Sequence, residues 1–111
     1  MIITLCGSTK FMKEFIALNY WLTLNNHIVL SVGGYYHSDN DPHIKEEIIM
    51  HKEQLDKLHK TKIMMSDAIL VIDKDNYIGE STKSEIQFAR ENNKSIYWYY
   101  NGSYLSLGDT A

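Results

Sequence analysis

The stretch Ala68-Ile69-Leu70-Val71-Ile72-Asp73, followed a few residues on by Gly79-Glu80-Ser81-Thr82-Lys83-Ser84-Glu85-Ile86, decides how this chain folds. Six residues that are apolar up to a terminal aspartate read as a strand covered on both faces. The glycine and small hydroxyl residues after it read as a loop, and Thr82 to Asn92 reads as a helix that ends at the paired asparagines Asn92-Asn93. Asparagine suits a helix C-terminus because it tolerates the left-handed backbone.

Working outward, the same alternation recurs. Ile2 to Cys6 reads as a short buried strand, and Thr9 to Asn25 as a helix with Phe11, Phe15, Leu18 and Leu22 near helical spacing. Asn25-Asn26 closes that helix, and His27 to Val32 is a second strand stopped by Gly33-Gly34. Tyr35 to Asn40 reads as a loop. Asp41-Pro42 starts the next helix, with a capping side chain before a proline at the first helical position. This helix is expected to run to about Met65, with Ile44, Ile48, Leu55 and Leu58 facing inward. Ser95 to Tyr100 is a fourth strand. Asn101-Gly102 is a hairpin signal that leaves room for a short C-terminal antiparallel edge strand, Ser103 to Leu107.

Strands that alternate with helices require crossover connections, so the sheet is expected to be parallel. The fold class is α/β, a Rossmann-like or flavodoxin-like three-layer sandwich of four parallel strands with helices on both faces. In such sheets ligands bind at the carboxyl ends of the strands, where strand order reverses. Three loops should meet there: Gly7-Ser8-Thr9, Gly33-Gly34-Tyr35, and Lys74 to Ser81.

A chain of 111 residues with 44% hydrophobic content is one domain, residues 1–111, with enough apolar material for a core. A net charge of −3 argues against nucleic acid as a partner. Cys6 is the single cysteine, so a disulfide within the chain and a multi-cysteine zinc site are excluded. Cys6 itself reads as a core residue rather than a nucleophile. The histidines give no metal site: His43, Glu47 and His51 repeat every four residues but read as the solvated side of a helix, and no His-Glu-x-x-His motif is present. Neither a Walker loop nor a G-x-G-x-x-G motif is present. No basic segment leads into an apolar run, and no apolar stretch is long enough to span a bilayer. The expectation is therefore a soluble cytoplasmic protein with no membrane partner.

Glu85 has two readings on spacing alone. In the first, Thr82-x-x-Glu85 is a capping box, in which the glutamate returns a hydrogen bond to the cap backbone. In the second, a carboxylate in the first helical turn is kept ionised by the helix field and attacks a sugar C1′ carbon. Gly7-Ser8-Thr9 suits a phosphate or sugar oxygen through backbone N–H groups and hydroxyls, or is an ordinary N-cap. A lone lysine such as Lys10 is by default solvated. Asp67 reads by default as a turn residue at the amino end of the third strand. Tyr97, Trp98, Tyr99 and Tyr100 read as a strand covered on both faces.

Three blocks carry a resemblance that spans nearly the whole chain: Leu5-Cys6-Gly7-Ser8-Thr9-Lys10, Ser66-Asp67-Ala68-Ile69-Leu70-Val71-Ile72, and Gly79-Glu80-Ser81-Thr82-Lys83-Ser84-Glu85-Ile86-Gln87-Phe88-Ala89. In this order they resemble the nucleoside 2-deoxyribosyltransferase superfamily, which includes the 2′-deoxynucleoside 5′-phosphate N-hydrolases. The resemblance implies that Glu85 is the nucleophile and that Asp67 acts near the active site. It implies Gly7, Ser8, Thr9, Gly33, Tyr35, Gly79, Glu80 and Ser81 as substrate-binding residues. It implies a small-molecule nucleoside or nucleotide as partner, no cofactor, and a homo-oligomer, dimer or higher. Thr4 and Leu5 stand where the family often has a tyrosine, for which Tyr35 or Tyr36 is a substitute from the next loop. The family's base-reading aspartate is not aligned either. These departures motivate an alternative function on the same fold, a nucleotide-binding module that senses or sequesters its ligand without turnover.

Overall fold

The computed structural model describes residues 1–35 and 45–100, and within the second span leaves aside the side chains of residues 45 and 47–49. The elements run β1 (Ile2–Cys6), α1 (Met12–Leu24), β2 (Ile28–Leu30), α2 (Lys45–Met64), β3 (Ala68–Asp73), α3 (Glu80–Glu91) and β4 (Ser95–Tyr100). The four strands form one parallel sheet in the order β2-β1-β3-β4. This is the expected α/β sandwich. The expected start of α2 at Asp41-Pro42 and the C-terminal edge strand fall outside the described residues, as do Ile44 and the side chain of Ile48.

The period-two alternation of the strands sorts side chains between two cores. On one face Ile3 and Leu5 of β1, Ala68, Leu70 and Ile72 of β3, and Tyr97 and Tyr99 of β4 pack under Phe11, Phe15, Leu18 and Leu22. On the other, Cys6, Ile69, Val71 and Ile96 pack under Ile63 of α2 and under Ile86 and Ala89 of α3. The aromatic run of β4 is covered only in part, because Trp98 is half-buried and Tyr100 is exposed. Asn26 and Asn93, one residue past the two C-caps, hold φ of 67° and 57°, the left-handed geometry expected after these helices.

Three boundaries differ from expectation. α1 starts at Met12 because the chain first turns from Ser8 to Phe11, with the Phe11 N–H donating to the Ser8 carbonyl at 3.0 Å. β2 is only three residues long. Beyond it the Ser31 carbonyl accepts from Lys62 Nζ at 2.6 Å instead of continuing a strand. α3 starts at Glu80 rather than Thr82, with Gly79 as its N-cap.

Two polar clasps fix the layers. At the amino end of the sheet, Asp67 Oδ2 accepts from the Ile2 N–H, and the Asp67 N–H donates to the Ile2 carbonyl, both at 2.8 Å. Within the α2-side core, the buried Thr4 hydroxyl donates to the Lys62 carbonyl at 3.1 Å and contacts the Ser66 hydroxyl. Ser66 Oγ also donates to the Lys62 carbonyl at 2.8 Å. These bonds satisfy hydroxyls that would otherwise be stranded in an apolar layer, and they lock α2 against β1. Among the described residues no helix is long and apolar enough to cross a membrane.

Phe15 is fully buried, whereas Lys13 on the same helix is exposed. Phe15→Ala is expected to lower unfolding free energy by ~3–5 kcal/mol through lost burial and the cavity left behind. Lys13→Ala should change it by less than ~0.5 kcal/mol. Urea denaturation of the two variants measures both.

Candidate active site

β1 connects to β2 on one side and β3 lies on the other, so strand order reverses between β1 and β3. A pocket of ≈ 480 Å³ opens at the carboxyl ends of these strands. Its floor includes Gly7 and Ser8 after β1, and one wall is the first turn of α3, from Gly79 to Thr82. α3 has no side-chain cap, and the first amides of a helix lack an intrahelical acceptor, so this wall can offer N–H donors to a bound group. Gly7 suits a close approach. A Cβ there would stand 3.0 Å from Ile72 Cβ, so Ile72 would have to give by a few tenths of an ångström.

Glu85 lies on the buried stripe of α3 with Thr82, Ile86 and Ala89, a spacing of three, four and seven residues. Because the helix begins at Glu80, Thr82 is inside it and Thr82-x-x-Glu85 is not a capping box. The same shift moves Glu85 out of the first turn, so the helix field does not hold it ionised as the sequence suggested. Burial pushes its carboxyl up from 4.5 to about 8, helped by Asp56 and opposed by a hydrogen bond to Cys6 and by Lys60 and Lys52. Glu85 is therefore mostly a neutral acid at neutral pH, aimed into the pocket.

His59 stands opposite, its Nε2 3.4 Å from Glu85 Oε1 and 3.5 Å from Cys6 Sγ. It shares the inward stripe of α2 with Leu55, Ile63 and the following Ser66. Leu58, expected inward, is 52% exposed and reaches only the pocket rim. Burial, with Lys62 nearby, lowers the imidazole to about 4, although the ring's hydrogen bond to the Leu5 carbonyl works the other way. Both members of the His59–Glu85 contact are uncharged at pH 7, so it is a neutral contact rather than an ion pair. Burial and the neighbouring Glu85 raise the Cys6 thiol well above its ordinary value.

The structure brings most of the expected residues together: Gly7, Ser8, Thr9, Gly33, Gly79, Glu80, Ser81 and Glu85 all line the pocket. Asp67 does not. It lies at the amino end of β3, at the opposite edge of the sheet, where its carboxylate is bound to the Ile2 backbone. Nor does Tyr35 line the cavity; its ring packs on Phe15 with centroids 5.8 Å apart. Among the described residues the tyrosine at the pocket is Tyr77, which the sequence did not single out. Asp75 and Asn76 hold φ of 54° and 57°, the positive pair of a type I′-like turn, and the Tyr77 N–H closes it onto the Lys74 carbonyl at 2.9 Å. Lys10, read as solvated, sits 3.5 Å above the centre of the Tyr77 ring and steadies it. Asp-Asn within a polar loop was the available signal for this turn.

α2 supplies the other residues that were missed, Lys52, Asp56, His59 and Lys62. Lys52 Nζ reaches Asp56 at 3.2 Å and donates to Ser81 Oγ at 3.1 Å, joining α2 to the first turn of α3 across the pocket. No protein-family model matches this chain. Comparison with curated proteins and with solved structures likewise gives no match.

The buried pair sets a pH dependence of stability. Between about 4.5 and 8 the folded chain holds a proton on Glu85 that the unfolded chain has lost, so Glu85 makes stability fall as pH rises. Between about 4 and 6.5 the unfolded chain binds a proton at His59 that the folded chain refuses, so His59 makes stability rise with pH. The two oppose each other up to about 6.5, and above that Glu85 acts alone. Unfolding free energy should decline between pH 6.5 and 8 by on the order of 1 kcal/mol per pH unit, and Glu85→Gln should abolish that decline. Urea titrations at half-unit pH intervals test this.

Proposed function

We propose that this protein cleaves the N-glycosidic bond of a 2′-deoxynucleoside or its 5′-monophosphate, with Glu85 as the nucleophile. The observation that carries the reading is one largely buried carboxyl that lines a ≈ 480 Å³ pocket together with the glycine–serine turn after β1. The pocket has room for a nucleoside-sized molecule. The Gly7-Ser8-Thr9 turn and Ser81 suit sugar or phosphate oxygens, Lys52 adds a positive charge, and the Tyr77 ring offers a face for a base.

In the reaction, a Glu85 carboxylate oxygen bonds to C1′ while the C1′–N bond breaks, and its electron pair leaves with the base. The absence of a 2′ oxygen eases the developing positive charge on the sugar. Water then attacks C1′, its proton neutralises the departed base anion, and Glu85 is released as the carboxylate; a second base attacking instead would make the reaction a transfer. Only the ionised carboxylate attacks, and with a pKa of about 8 it is about a tenth of the enzyme at pH 7. The neutral form favours a second reading, in which Glu85 protonates the departing base and water attacks directly.

The expected homo-oligomer also has support. Ile16, Tyr20 and Leu24 form an exposed apolar line on α1, and Ile28 is exposed on the edge strand β2.

Incubation with deoxynucleosides and deoxynucleotides should release free base, detected by chromatography. Glu85→Gln should slow release at least ~10³-fold. If Glu85 is the nucleophile, kcat/KM rises with pH, reaches half its maximum near 8 and levels about one unit higher, and a deoxyribosyl adduct appears in the intact mass. A rate that falls through pH 8 with no adduct makes Glu85 the acid.

A further inference from the structure

We propose that Cys6 Sγ, His59 Nε2 and a Glu85 carboxylate oxygen form a three-ligand site for a zinc-type divalent cation, with a fourth position facing the pocket. Ligand atoms from these three residues all lie within 4.8 Å of one another. Two of the spacings are 3.5 Å, sulfur to nitrogen, and 3.4 Å, nitrogen to oxygen. A tetrahedral zinc with bonds of ~2.3 Å to sulfur and ~2.0–2.1 Å to nitrogen and oxygen sets those same edges at ~3.5 and ~3.4 Å. Two of the three edges thus already match a tetrahedral shell, and the third, sulfur to oxygen, lies within 4.8 Å.

The chemistry of the set narrows the cation. A thiolate, an imidazole and one carboxylate suit zinc and its neighbours, whereas magnesium and calcium take oxygen ligands. One thiolate and one carboxylate cancel a double positive charge, so the filled site is neutral in its buried surroundings. Binding releases the displaced thiol and carboxyl protons to solvent. Each ligand stands on a different rigid element, β1, α2 or α3. His59 and Glu85 line the pocket, which gives the ion a way in and leaves its open side toward water or a small ligand.

Metal and sugar compete for one carboxylate. Zinc is therefore an inhibitor of base release, a consequence that rests on the proposed glycosidic activity, while the binding itself does not.

The test is titration of the chelator-treated protein with cobalt(II), whose spectrum reports its ligands. Because Cys6 is the single cysteine, a thiolate-to-cobalt charge-transfer band can come from one place only. The expected result is such a band at one cobalt per chain, with intense tetrahedral bands in the visible, bleached by zinc. Cys6→Ser should abolish the band, and His59→Asn and Glu85→Gln should each weaken cobalt binding at least ~10-fold. The isosteric Glu85→Gln decides the matter if the other variants fail to fold, as circular dichroism will show. Absence of a thiolate band in excess cobalt overturns the site, as does a band unchanged by Glu85→Gln. A cobalt band in a protein that releases no base from any deoxynucleotide leaves the metal site standing and removes the glycosidic reading.

Discussion

β1 and β3 pair in parallel at the centre of the sheet, from Ile3 beside Ala68 to Cys6 beside Val71, and the rest of the molecule is arranged around that pairing. The reversal of strand order falls between these two strands, so the chain leaves their carboxyl ends in different directions and a crevice opens there. The approach is close enough that Gly7 cannot carry a Cβ without pressing on Ile72. At the other end the Asp67–Ile2 backbone clasp fixes the register. A slip of one residue would exchange the two faces, sending Cys6 into the α1 layer and away from His59 and Glu85.

The register also explains why three polar side chains meet in an otherwise apolar layer. Thr4 and Cys6 point to the same face of β1. Thr4 ties that face to the last turn of α2 through the Lys62 carbonyl and Ser66. With α2 held there, His59 stands one helical turn before Ile63 and meets Cys6. Glu85 arrives from α3, where an apolar residue would satisfy the helix pattern equally well. Burial then keeps the cluster uncharged, with a glutamic acid that retains its proton and a histidine that refuses one. A group that fills the pocket and compensates the charge would favour the ionised carboxylate. In the proposed chemistry the sugar's developing charge does so, and at the proposed metal site the cation does.

Much of this was legible along the chain. The alternation of strands and helices, the asparagine helix ends and the apolar stripe of α1 are local patterns, set by periodicity and by which residues accept a left-handed backbone. The rim was legible as well, because loops after parallel strands must share one edge; Gly7, Ser8, Gly33, Gly79 and Ser81 were placed from strand order alone. The errors came with the resemblance. Strand order already put Asp67 at the amino end of β3, where the structure has it, and only the resemblance carried it to the opposite edge. Tyr35 occupies the right loop, but its ring is claimed by Phe15.

The sequence by itself therefore determined the layers, the parallel sheet and the edge at which a ligand can bind, since these follow from local periodicity and from the reach of crossover connections. Tertiary structure alone decided what Glu85 is. Moving the start of α3 back to Glu80 turned a cap residue into a buried acid. Packing then set it against a cysteine from β1 and a histidine from α2 that lie 79 and 26 positions away in the chain. No local pattern encodes that encounter, because burial, and with it the protonation of all three groups, exists only once the helices have closed over the sheet.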